Sequence, residues 1–69
     1  SSSSSSGSTG SCTSPAYANG ATYATGALVR NGGSEYRCTV GGWCTVGGPY
    51  EPGVGWAWAN AWALVRSCQ

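Results

Sequence analysis

The sequence predicts a small, mainly-β, disulfide-stapled domain: a short antiparallel sheet joined by long ordered loops. Three observations predict it. The chain has only 69 residues, its four cysteines fall within the last 57 or so, and twelve glycines cut it into short pieces. Frequent Gly suits short strands and turns and excludes a long helix.

Taken in order, the chain opens with Ser1 to Ser11, a tract of Ser, Gly and Thr. Such a tract has nothing to bury and reads as a flexible interdomain linker. The folding unit is then residues 12–69. A unit of about 57 residues buries only about 60% of its unfolded surface, so its core is marginal. The composition deepens the shortage. The chain has no Ile, Phe or Met, only Leu28 and Leu64, and five Val, so four Trp and four Tyr supply most of the apolar area.

Within the unit, candidate strands are Ala21–Thr25, Ala27–Arg30, Glu35–Val40 and Ala61–Arg66. Asn31-Gly32-Gly33 separates the second from the third. These residues tolerate positive φ, which predicts a hairpin there. The stretch Val46 to Gly53 is turn material and reads as an ordered loop presenting Tyr50. In Gly55-Trp-Ala-Trp-Ala-Asn-Ala-Trp-Ala-Leu-Val65, alternating Trp and Ala fits a strand period, yet Ala favours helix. Flanking Gly and Pro upstream and Leu64-Val65 downstream favour a turn followed by the terminal strand.

Cys12, Cys38, Cys44 and Cys68 permit three pairings. The preferred one is Cys12–Cys68 with Cys38–Cys44. The first bond clasps the two ends of the unit; the second pins the loop that contains Trp43. Zinc is disfavoured as the alternative use of these cysteines, because the chain has no His and no Cys-x-x-Cys knuckle. Disulfides belong to oxidising compartments, so the protein is expected to be secreted, as a piece of a longer exported chain. No apolar run approaches the ~20 residues of a membrane span.

Charge excludes further classes. Arg30, Arg37 and Arg66 are the only cations and Glu35 and Glu51 the only side-chain anions. Nucleic-acid binding asks for several phosphate-neutralising residues on one face, and three Arg are too few for a basic groove. With no His, Asp or Lys, a nucleophile–base pair cannot be assembled from the usual parts. Glu35 and Glu51 read as solvated loop charges rather than a glycosidase pair. The expectation is a non-catalytic module without a cofactor.

Eight aromatic rings remain, more than so small a core needs. An exposed Trp or Tyr offers a flat apolar face with a polar edge. A pyranose is its counterpart, with axial C–H bonds on its faces and hydroxyls around its rim. Base–aromatic stacking, at about 1–3 kcal/mol per ring, is the analogous case. A flat row of such rings suits the surface of an insoluble polymer. Trp62, beside the terminal strand, and Tyr36, on the hairpin, are read as core, as are Tyr17 and Tyr23. Trp43, after Gly41-Gly42 in the small disulfide loop, and Tyr50 are read as ligand-facing. Trp56 and Trp58 share a face about 6.6–6.8 Å apart if extended; of the two, Trp58 is read as exposed and Trp56 as more buried.

These residues also carry a resemblance. Tyr17-Ala-Asn-Gly20, Val29 and Gly33-Ser-Glu-Tyr36 resemble the Tyr-x-x-Gly, Val, Gly-x-x-Tyr pattern of carbohydrate-binding module families 5 and 12. Trp43-Cys44-Thr45 with Pro52-Gly53, and the closing Trp62-Ala-Leu-Val65, complete it. The sequence is closer still to family 73, found at the C-terminus of chitin-active lytic polysaccharide monooxygenases. The resemblance implies a compact fold around a small antiparallel sheet, crystalline chitin as partner, and Trp43, Tyr50 and Trp58 as the binding platform. Families 5 and 12 often place two aromatics before the Thr, whereas here the second position is Cys44. The resulting expectation is a monomeric anchor tethered to a catalytic domain. Cellulose is the alternative ligand, and a protein-interaction or inhibitor module the alternative class.

Overall fold

The computed structural model describes residues 12–68. The linker expected at residues 1–11 lies outside the described residues. A three-stranded antiparallel sheet in the order β1-β2-β3 forms the frame, with β1 at Leu28–Asn31, β2 at Ser34–Cys38 and β3 at Trp62–Ser67. Between β2 and β3 run a six-residue helix α1 (Gly41–Val46), a 3-10 turn (Gly48–Tyr50) and a single helical turn α2 (Trp58–Ala61).

The hairpin follows from its turn chemistry. Gly32 and Gly33 both take positive φ, 63° and 81°, which glycine adopts without steric cost and which matches the twist of the flanking strands. Register then pairs Val29 with Tyr36 and Arg30 with Glu35. β3 joins the other side of β2, pairing Cys38 with Trp62 and Glu35 with Arg66, with an irregularity between Glu35 and Tyr36. Val29, Tyr36, Cys38 and Trp62 face the core, where Cys44 and Ala61 join them.

The core is aromatic, as composition dictates. Trp62 is completely buried. Its indole meets Tyr17 and Tyr23 edge-to-face, centroids 5.9 and 5.5 Å away, and those two rings stack on each other at 5.8 Å. Tyr17 and Tyr23 are half-buried against the cluster rather than enclosed in it. Truncating a fully buried Trp costs about 3–5 kcal/mol, a large part of the stability of a domain this size.

Both disulfides take the preferred pairing. Cys12–Cys68 clasps the ends across 56 positions, and Cys38–Cys44 ties the end of β2 to α1 across six.

Two expectations are corrected. Ala21–Thr25 is not a strand. The outer edge of β1 is already occupied by residues 15–17: the Tyr17 N–H donates to Arg30 O at 3.0 Å, and the Arg30 N–H to Pro15 O at 2.9 Å. Residues 21–25 therefore cannot add to the β1 edge and are tied down by the Thr45 hydroxyl at Tyr23 and the Thr25 hydroxyl at the Gly41 N–H. Glu35 is not a solvated loop charge either. It is 4% exposed, with Arg66 Nε donating to Oε1 at 2.9 Å and the Ser14 hydroxyl donating to Oε2. The Ser14 hydrogen bond, then Arg66, hold its carboxyl below the usual carboxylate range, against the opposing effect of burial. The Ser14 hydrogen bond thus fastens the N-terminal segment to the sheet, while the ion pair joins β2 to β3.

Candidate aromatic binding surface

The sugar-binding candidates all arise from the connection between β2 and β3. α1 is too short to be stable alone. Its placement comes from outside contacts. Cys44 is buried and bonded to Cys38, and the Thr45 hydroxyl accepts from the Tyr23 N–H at 3.1 Å and reaches Tyr23 O and Gly41 O at 3.1 Å. Val40 O closes the first turn by accepting from the Cys44 N–H at 3.0 Å. With Cys44 and Thr45 held inward, Trp43 points out and is 42% exposed.

The 3-10 turn sets Tyr50 beside it. The Trp43 and Tyr50 rings lie 5.0 Å apart, centroid to centroid, with only 6° between their planes. Parallel rings lying side by side in one plane cannot approach so closely, so these two are stacked. The structure therefore replaces the expected flat row with a stacked pair. Tyr50 is the half-buried member and packs against the core cluster; Trp43 is the outer member. One face of Trp43 is covered by Tyr50. The two rings are already stacked on each other, which lowers the cost to a ligand of ordering them.

Trp58 and Trp56 depart from their expected exposures. One turn of α2 carries Trp58 toward Tyr36, whose ring it meets at 5.1 Å and 77°, leaving Trp58 half-buried. Trp56, expected to be the more buried, is 87% exposed. The reason is local. A strand would place both rings on one face, but residues 55–57 form a turn and residue 58 begins a helix, so the two directions diverge. Trp43, Tyr50, Trp56 and Trp58 are nonetheless all carried by one connection, residues 39–61, packed upon itself. Trp56 had a signal in the sequence, its place between Gly55 and Ala57 after a Pro-Gly turn, which a period-two reading hides.

The connection that carries this surface, residues 39–61, holds one charged side chain, Glu51, directly after Tyr50. Of the two carboxylates, Glu35 is engaged with Ser14 and Arg66, and Glu51 lies close enough to Tyr17 to help raise its phenol pKa, after burial, the larger cause. What the surface offers is indole and phenol faces. Among the described residues, no helix is long and apolar enough to cross a membrane.

Comparison with known proteins agrees with this chemistry. The solution structure of the carbohydrate-binding module family 73 from Cellvibrio japonicus CjLPMO10A matches 88% of this chain and 90% of its own, at 74% identity and a TM-score of 0.57. The chain belongs to carbohydrate-binding module family 73. A segment of endoglucanase MaCel5A from Microbulbifer sp. (strain ALW1) is 56% identical over 54 residues, 78% of this chain. The family 73 module spans only 10% of that enzyme's length. No family model matches the chain. Two disulfides in so small a module fit an oxidising, extracellular setting.

Proposed function

We propose that this family 73 module is a non-catalytic anchor that binds crystalline chitin through Trp43 backed by Tyr50, and so concentrates a tethered, secreted enzyme on its substrate. The observation that supports it best is the parallel, stacked Trp43–Tyr50 pair, whose outer indole is partly exposed to water. A pyranose stacked on that indole buries its C–H face and keeps its hydroxyls hydrated. Each such contact contributes about 1–3 kcal/mol by analogy with bases on aromatic rings. Three at the upper end of that range approach the roughly 8 kcal/mol of micromolar affinity. Trp58, with one side on Tyr36, adds only what its solvent-facing part can reach.

Tethering is supported by topology. Cys12 is bonded to Cys68, whose N–H donates to Gly33 O at 2.7 Å, beside the hairpin turn. Trp43 follows Cys38, at the other end of β2. About 13 Å of strand separates the two ends at ~3.3 Å per residue. A domain attached ahead of Cys12 thus leaves from the end of the sheet remote from Trp43, and the local concentration of enzyme at the surface rises without new contacts. Chitin as the polymer rests on the motif resemblance. Cellulose is the second reading, favoured by the matching segment in an enzyme named as an endoglucanase.

The test is depletion from solution by β-chitin and by microcrystalline cellulose. Wild type should leave the supernatant on chitin, while Trp43→Ala should bind at least tenfold more weakly with its near-ultraviolet spectrum otherwise native. Retention of wild type in solution with both polymers overturns the anchor reading.

A further inference from the structure

We infer that Trp56 is a further carbohydrate-contacting ring, a stacking point on the polymer surface outside the Trp43–Tyr50 pair. The inference rests on the polysaccharide-binding reading and deepens it. Trp56 is the most exposed of the large apolar side chains. It does not belong to the buried cluster, nor is it among the rings packed against it. A ring so placed adds almost nothing to the fold, since the stabilisation an aromatic brings comes from its burial.

Exposure alone is no function, but this ring is also held. The Gly55 N–H donates to Glu51 O at 2.8 Å and the Ala57 N–H to Pro49 O at 3.0 Å. Those acceptors are the residues on either side of Tyr50, so both neighbours of Trp56 are bonded to both neighbours of Tyr50. Ala57 is buried beneath the turn. At Gly55 the chain passes so close to residue 49 that a Cβ would stand 2.0 Å from Pro49 O. No side chain fits at that position, and this close approach brings the Trp56 backbone alongside that of Tyr50. The indole thus projects into solvent from a fixed base, next to the turn that backs Trp43. A pre-ordered apolar face loses little entropy on binding.

The ligand chemistry follows from the same surroundings. Along the chain Trp56 is flanked by Val54, Gly55, Ala57 and Trp58, and the nearest charged residue in sequence is Glu51. An uncharged ligand with flat C–H faces is what such a site suits, and an extended array of β-linked sugar chains offers these faces at more than one point. Trp56 then widens the footprint on a solid surface.

The experiment compares binding isotherms on β-chitin for wild type, Trp43→Ala, Trp56→Ala and Val54→Ala, the last removing another exposed apolar group from the same loop. Trp56→Ala should weaken binding by about fivefold to about 150-fold, the range that one stacking contact of about 1–3 kcal/mol provides. Val54→Ala should leave it within twofold, and both should keep the wild-type unfolding midpoint. In parallel, tryptophan oxidation by N-bromosuccinimide, mapped by peptide mass, should modify Trp56 readily in the free module and slowly on chitin. Should Trp56→Ala bind as wild type and Trp56 oxidise equally fast on chitin, the inference is overturned, while loss of binding in Trp43→Ala still upholds the anchor. Failure of wild type to bind any polymer overturns both together.

Discussion

Removing the Tyr50 ring separates two roles that a stacked pair can play. Tyr50 is half-buried between the core and Trp43, with one face against the outer indole at 5.0 Å. From that position the expected role is to orient Trp43 more than to touch sugar. Stacked aromatic pairs couple by about 0.5–1.5 kcal/mol beyond their burial. Tyr50→Ala should therefore weaken chitin binding about two- to twelvefold, since 1.4 kcal/mol is about a factor of ten. Tyr50→Phe, which keeps the stacking face, should stay within twofold. The decisive comparison is the double-mutant cycle with Trp43→Ala, measured by depletion isotherms at high polymer load and by urea unfolding. If Tyr50 works through Trp43, Tyr50→Ala adds almost nothing once Trp43 is gone, and the coupling equals its whole effect. Strictly additive losses in binding would refute the backing role and make Tyr50 an independent contact.

The disulfides should differ in weight. On the loop-closure model, replacing Cys12 and Cys68 by Ser costs roughly 4 kcal/mol, against about 2 kcal/mol for Cys38 and Cys44, the difference arising from separations of 56 and 6. Urea unfolding of the two double variants checks the order, and a reversed order contradicts it. The pH profile follows from Glu35. Its carboxyl is held below the ordinary range, so the stabilisation is fully present above the unfolded value near 4.3 and is lost as pH falls through that value toward the lowered one. The unfolding midpoint should be flat from about pH 5 to 8 and should drop under acid more steeply in wild type than in Glu35→Gln. Parallel curves would show that Ser14 and Arg66 do not discriminate the charged form.

The sequence shows some parts of this fold and hides others for identifiable reasons. The hairpin was legible because Asn31-Gly32-Gly33 demands positive φ between two apolar runs. Trp62 was legible as core because Leu64 and Val65 mark the strand it opens. α1 was hidden, since Gly41-Gly42 looks like a break; only the disulfide to Cys38 and the Thr45 hydrogen bonds make a helix there. Glu35 looked solvated because its partner Arg66 is 31 positions away and meets it only when β3 pairs with β2. Trp56 and Trp58 exchanged their expected exposures because a turn and a single helical turn replaced the extended period, a distinction that Ala-rich composition leaves open. The membership of the family was legible in motif spacing, while the stacked geometry of Trp43 and Tyr50 was not. Spacing of seven residues fixes no distance across a helix and a loop.

The Cys38–Cys44 staple connects these observations. Six residues beginning with two glycines cannot hold a helix in water unaided. The disulfide removes that difficulty by fixing Cys44 against the end of β2, one residue after the ring that needs to be presented. Families 5 and 12 often have a second aromatic at the position that Cys44 holds here. The staple therefore stands where another ring would, and the second ring arrives from Tyr50, stacked on the first rather than beside it. A wider platform then has to come from elsewhere along the same connection, and the clamped turn that projects Trp56 is where the chain has another indole in water. With three cations and two carboxylates in the whole sequence, little long-range charge is available to steer or hold a ligand. Affinity has to come from apolar faces positioned before the ligand arrives, and each ring the structure leaves exposed is fixed by backbone hydrogen bonds or a disulfide within two residues of it.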